Sequence, residues 1–384
     1  MAERSVQATE PTPESAKIQS LEGLRGVMAW WVVVGHISLT FGWGLPLIDR
    51  NALAVDVFIL LSGFVIARLI DRKREHFGRY ITRRAFRLFP LYLVALVAST
   101  ILLPVQQAAW TSLPFTTTSN TARIALAQQA LANVPAQLGV HLPLIQGVIP
   151  QSLLPGAAYT LLGQAWSISL EWQFYLLAPF FMWALLARRR WPLVVVVVAL
   201  LCYSARFFPG AFLGAKILHF CIGICCYLAI ERRVERYLWI GVASGLSLVV
   251  VAVGGNLQVI PLAIWGAVLV STVALPLRPV GWLAGLLGSK PAVHFGELSY
   301  SIYLVHMIPL YSSIFVLSKL GASRVVLQVA VALATLIGAY LIARVTFVLV
   351  ERPGIALGAR LVRRPDQIAT HPSGEALSLA DSAR

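Results

Sequence analysis

Charge is what this chain has least of. Asp, Glu, Lys and Arg together make up 12% of its 384 residues, against roughly 25% in a soluble globular domain. With a mean hydropathy of +0.77, that scarcity excludes an ordinary water-soluble fold. Carboxylates are scarcer still, 16 against 31 Lys plus Arg, for a net charge of +15. The four cysteines (Cys202, Cys221, Cys225, Cys226) sit in apolar stretches. None pairs in a loop or stands at zinc spacing from a histidine, so they read as packing residues, and no metal site is expected. No P-loop, dinucleotide fingerprint or internal repeat is present. The polar N-terminus up to Ser20 lacks the short apolar region and small-residue cleavage site of a signal peptide. The first apolar block is therefore expected to act as the insertion signal.

Present instead are long apolar blocks separated by short basic clusters, the pattern of a multi-span membrane protein. Ten candidate spans follow, at 24–41, 52–70, 86–104, 166–187, 192–206, 210–230, 238–254, 258–276, 295–318 and 325–349. The expected fold class is all-α, a polytopic transmembrane helix bundle of about ten spans. With the N-terminus inside, 24 of the 31 Lys and Arg fall on inside segments and Arg344 within the tenth span. The positive-inside rule then places both termini in the cytoplasm, in an inner membrane. It also explains the basic balance through membrane lipids, with no nucleic acid as partner. The chain divides into a polar N-terminus (1–20), a membrane domain (21–361) and a disordered tail (362–384). The one long outside connection, 105–165, carries a single charge, Arg123. Short helices lying on or re-entering the outer leaflet are expected there, and 121–132 is a candidate for partial burial in the bundle.

The polar residues inside the spans carry the chemistry. Arg25 and His36 are eleven residues apart in Leu21–Thr40. On a helix they share a face to about 20° and stand ~16 Å apart along the axis. With Arg25 at one surface, His36 lies near the bilayer midplane, where an ionisable group is a functional candidate. Asp56 and the Ser62–Gly63 pair interrupt the second span; Asp56 equally suits a helix-start carboxylate meeting the dipole. Arg79, Arg83, Arg84 and Arg87 precede the third span. They suit anionic lipid, but Arg84 and Arg87, three apart on one face, also suit a phosphate-bearing ligand. Ser167, Glu171 and Tyr175 share one face of the fourth span. Ser299, Tyr303 and His306 share one face of the ninth, with His306 near mid-depth. A neutral imidazole is a general base near pH 7, and a carboxylate beside it orients it. The ~16 Å from Arg25 to His36 compares with the reach of a pantetheine arm from its phosphates to its thioester.

These stretches resemble membrane acyltransferase family 3, the bacterial O-acyltransferases of surface polysaccharides, nodulation factors and some antibiotics. LEGLRGVMAWWVVVGHI is similar to the family's opening Arg-x10-His motif, VDVFILLSGFVIAR to its second-span signature and RRAFRLFPLYLV to its Arg-x-x-Arg start. WSISLEWQFYLLAP, GELSYSIYLVH and VERP resemble the later three, so the likeness runs from Ile18 to Leu361. It implies His36 as catalytic, with Glu171, His306 and Asp56 in the catalytic set. It implies Arg25, Arg84, Arg87, Ser62, Gly63 and Tyr303 around the donor. Two departures stand out: Trp172 replaces a second acidic residue, and Glu22 stands where Asp is common. No outside esterase-like domain of the kind fused to longer members is expected.

The implied activity is transfer of an acyl group, most simply acetyl, from acyl-CoA to a sugar hydroxyl of a surface polysaccharide or glycolipid. His36, assisted by Glu171, takes the proton or carries the acyl group itself. Acyl-CoA is a donor substrate, and no tightly bound cofactor is expected. A small glycosylated metabolite such as a macrolide is an alternative acceptor. A proton-coupled glycolipid transporter, with the midplane His and Glu as its relay, is the alternative from another class.

Overall fold

The computed structural model describes residues 13–187, 189–273 and 281–362. The tail beyond 362, and residues 1–12 of the polar N-terminus, lie outside them. Every regular element among the described residues is helical. The first helix ends where its apolar run does but starts eleven residues before the expected span. The block around His36 forms α1 (Pro13–Phe41), and the next forms α2 (Ala52–Lys73). His76 caps α3 (Phe77–Ile101) by accepting the Gly78 amide. The helix therefore begins nine residues before the expected span, and the arginine cluster lies on it rather than ahead of it.

The long connection is itself folded. It forms α4 (Leu103–Thr111), α5 (Thr118–Ala132) and α6 (Val134–His141), with Trp110, Asn120, Ala127, Ala130 and His141 buried. Four helices follow: α7 (Trp166–Leu186), α8 (Trp191–Ser204), α9 (Ile217–Glu231) and α10 (Arg236–Gly254). Next come α11 (Val259–Val273), α12 (Trp282–Leu287) and α13 (Lys290–Glu297). Residues 210–216, expected as helix, instead form turns and a single 3-10 turn.

The ninth span is not one helix. α14 (Ser299–Val305) and α15 (Met307–Leu317) meet at His306 with a bend of 40°. Pro309 has no amide proton for the Val305 carbonyl, and its ring crowds that carbonyl, which kinks the helix. The backbone acceptors beside the kink find side chains: Gln164 donates to the Leu304 carbonyl at 2.6 Å and His306 Nδ1 to that of Tyr303 at 2.8 Å. Last come α16 (Arg324–Thr346), a π turn (Phe347–Glu351) and α17 (Arg352–Leu361).

Among the described residues, six helices are long and apolar enough to cross a membrane, or seven with the bent pair. α8 and α9, at 14 and 15 residues, are shorter apolar helices. Burial separates centre from rim: 72% of the apolar window of α2 is buried, against 17% of that around α10. The exposed Val, Leu and Ile of α10 and α16 form an apolar outer surface suited to lipid. At the centre α2 and α9 touch backbone to backbone. A Cβ on Gly63 would lie 2.3 Å from the Phe220 carbonyl oxygen, and one on Gly223 2.1 Å from that of Leu60. Only glycine permits this approach.

Candidate active site

Two cavities lie between these helices. The larger, about 250 Å³, is lined by His36, Asn51, Gln106, Arg123, Gln164, Trp166 and Tyr303, among others. His36 reaches it from α1 and Arg123 from α5. The Arg123 guanidinium donates to His36 Nδ1 at 3.1 Å, to Thr40 Oγ1 at 2.6 Å and to Asn120 Oδ1 at 3.2 Å. It also lies 4.7 Å from the Trp110 ring centre. No described carboxylate pairs with Arg123. His306 stands beside His36, with ring centroids 5.2 Å apart and planes at 31°. The two histidines placed near mid-depth by sequence are thus brought together. His306 is fully buried behind His36 and lines neither cavity, and its Nε2 has no hydrogen-bond partner among the described residues. Tyr159 also lines the larger cavity, and burial raises its hydroxyl above its ordinary pKa.

The smaller cavity, about 100 Å³, is lined by Arg25, Arg84, Arg87, Ser62, Glu171 and Tyr175, among others. Glu171 accepts from Ser62 Oγ at 3.0 Å and from the Tyr175 hydroxyl at 2.5 Å. Arg84 lies 5.9 Å from the Tyr175 ring centre and makes no ion pair among the described residues. Arg25 faces Glu22 at 3.7 Å. Val55 and Tyr303 line both cavities. The Tyr303 hydroxyl is pinned at this shared wall: it donates to the Gln164 carbonyl at 2.8 Å and meets Ser167 Oγ at 2.7 Å.

Several expectations are revised by this geometry. Glu171 does not orient His36. It serves the arginine-lined cavity, and the hydrogen bond to the imidazole comes from Arg123. Asp56 lines neither cavity. It is held by the Lys216 ammonium at 2.5 Å and by Gln258 Nε2 at 3.2 Å, because an ion pair is what makes a buried carboxylate tolerable. Arg87 is not free for a ligand alone. It pairs with the buried Glu351, which also accepts from Ser301 Oγ at 2.5 Å. Gly63 serves helix contact. Arg123 was missed as a site residue, although a lone cation in a long, otherwise uncharged segment was the available signal.

A bundle of apolar helices with an arginine-lined cavity and, across a common wall, a cavity lined by His36 with His306 packed behind it suits a membrane-embedded group-transfer enzyme. The acyltransferase domain of acyltransferase family 3 matches residues 18–344, and the chain belongs to that family. It is similar to the acyltransferase MdmB of Streptomyces mycarofaciens, 28% identical over 407 residues, covering 94% of this chain and 97% of the relative. A second relative is protein 2 in the picA locus of Rhizobium radiobacter. It is 39% identical over 80 residues, 20% of this chain and 40% of that protein. No solved structure matches. The protein is an acyltransferase with several apolar helices in a membrane.

Proposed function

We propose that this enzyme moves an acyl group, most simply acetyl, from acyl-CoA to a hydroxyl of a sugar in a surface polysaccharide or glycolipid. The observation that carries this reading is the shared wall at Tyr303 and Val55. It lets one extended donor occupy both cavities, with its phosphates among the arginines and its thioester beside His36. Arg84, without an ion pair among the described residues, and Arg25 anchor the phosphates, with Arg87 supporting them from its pair with Glu351. Ser62 and Tyr303 border the path of the arm. His36 and His306 stand at the reacting carbonyl, where an attacking hydroxyl must lose a proton and the carbonyl oxygen must gain charge. In this reading ten crossings keep both termini in the cytoplasm of a bacterial inner membrane. The donor enters from the cytoplasm and the acceptor from the outer side, under α4–α6. No tightly bound cofactor takes part.

Mass spectrometry of surface glycans and secreted metabolites, from cells with and without the protein, tests the reading. An acyl increment on a surface glycan is the expected result. The same increment on a small secreted glycoside would move the acceptor to that class. A coupled gradient-driven uptake of glycolipid, with no acylated product, would replace enzyme by transporter.

A further inference from the structure

His36 and His306 are held in opposite protonation patterns. Arg123 has only donors, so the His36 Nδ1 that meets it at 3.1 Å must present a lone pair. Neutral His36 therefore carries its proton on Nε2. A backbone carbonyl has only lone pairs, so His306 Nδ1, 2.8 Å from the Tyr303 carbonyl, must carry the proton. That leaves the His306 Nε2 lone pair buried and without a partner among the described residues. A fixed cation on the imidazole is also the reverse of the carboxylate that supports a catalytic base, since it opposes a second positive charge on the ring.

From this pattern we infer that His36 acts as a hydrogen-bond donor to the acyl carbonyl, that His306 is the base, and that Arg123 is the positioning residue enforcing the division. A neutral imidazole can polarise a carbonyl in this way. The inference rests on the acyl-transfer reading above and deepens it. The acceptor oxygen bonds to the thioester carbon while the carbonyl π pair moves onto oxygen, held by His36 Nε2–H. The hydroxyl proton passes to His306 Nε2, which the acceptor reaches past the His36 ring packed 5.2 Å from it. Collapse breaks the carbon–sulfur bond, and the leaving thiolate takes that proton from His306. The products are an ester and the free thiol of CoA, with no change of oxidation state.

Anchoring α5 does not by itself require the bond to His36. Arg123 already holds Thr40 and Asn120, and the Asn120 side-chain amide holds the Thr40 carbonyl at 2.8 Å.

The test uses membranes carrying the full chain, with acetyl-CoA as donor and octyl β-D-glucoside as hydroxyl acceptor, ester formation being followed by mass spectrometry. Losing one donor at a developing oxyanion lowers kcat by about 10²–10³-fold, the loss expected of His36→Ala. His36→Gln keeps an N–H and should stay within about tenfold of wild type, because that hydrogen bond survives. At position 306 the amide cannot substitute. His306→Gln and His306→Ala should fall together, by about 10²–10⁴-fold, as for loss of a general base. Arg123→Ala should lower kcat by about tenfold or more with KM for acetyl-CoA within about twofold, since its interaction is with the imidazole and not the donor phosphates. Arg123→Lys, which keeps a donor and the charge, should recover part of that loss. A His36→Gln enzyme as inactive as His36→Ala at equal membrane abundance would overturn the inference. So would radiolabel from acetyl-CoA that stays on denatured wild type but not on His36→Ala, because a donor nitrogen cannot carry the acyl group. Wild-type membranes that acylate nothing would instead sink the acyl-transfer reading, a failure distinct from any ratio among variants.

Discussion

Tyr303 and Val55 wall both cavities, yet the two sides treat charge in opposite ways. On one, three arginines share space with carboxylates: Arg87 with Glu351, Arg25 with Glu22, and Glu171 on the lining. On the other, Arg123 has Thr40, Asn120 and an imidazole, and no described carboxylate. A cavity that takes up a polyanion needs cations held in place before the ligand arrives. Carboxylates supply that support without neutralising every guanidinium, and Arg84 has no ion pair among the described residues. A cavity where charge appears only during reaction gains more from a preorganised donor set that is not already satisfied. The contrast is between a binding site and a reacting site, and it can be attacked from either side.

Glu351→Ala should have the largest effect on the scaffold. It would leave Arg87 without its counter-charge and Ser301 without its acceptor. Breaking a buried pair from one side costs about 3 kcal/mol or more, enough to lower the melting temperature of purified protein in detergent by several degrees. Glu351→Ala with Arg87→Met should recover much of that loss. If the double variant melts no higher than the single one, Glu351 does not act through Arg87.

Gly63→Ala comes next and probes the frame holding the two cavities apart. Its methyl would meet the Phe220 carbonyl oxygen at 2.3 Å, forcing α2 from α9. Such overpacking costs about 1–3 kcal/mol. Gly241→Ala, with nothing within 4 Å, is the matched control and should leave the melting temperature unchanged or slightly higher. Equal melting of the two variants would mean that α2 and α9 are not closely packed.

Arg84→Ala addresses the binding side directly. A charge-assisted hydrogen bond to a phosphate contributes about 1.5–3 kcal/mol, so KM for acetyl-CoA should rise by about tenfold or more while kcat holds. Arg123→Ala should show the opposite split. If both variants alter the same kinetic constant, the division of labour between the cavities is wrong.

How much of this was legible without coordinates depends on sequence distance. Apolar runs are local, so α2, α7 and α16 fall within a few residues of their expected bounds, whereas α1 starts eleven residues before its expected span. The helical faces carrying Ser167, Glu171 and Tyr175, or Ser299, Tyr303 and His306, are likewise local, and their members line or adjoin the cavities. What failed was pairing across the chain. Arg123 lies 87 positions from His36, and Glu351 lies 264 from Arg87. Nothing in a helical period links such residues. Glu171 was matched to His36 because both sat on inward faces, but a face gives an angle, not a depth along the helix. The break at His306 was also readable in principle, since Pro309 stands three residues on. Tolerance for proline in membrane helices hid that signal, as Pro90 within α3 illustrates.

The smallest expected effect falls on the shared wall itself. Tyr303→Phe keeps the ring between the cavities and removes only the hydroxyl that meets Ser167 Oγ and the Gln164 carbonyl. Leaving two buried partners unsatisfied costs about 1–2 kcal/mol of stability, while the ring that borders the path of the donor arm stays in place. If Tyr303 acts as a fixed partition, the rate should change by about threefold or less, since phenylalanine fills nearly the same volume. Tyr303→Ala opens the wall and should let acyl chains longer than acetyl compete, read as a rise in the hexanoyl-CoA to acetyl-CoA ratio of kcat/KM. Should Tyr303→Phe be as impaired as His36→Ala, the hydroxyl takes part in the reaction and the boundary between binding and reacting cavities must be redrawn through it.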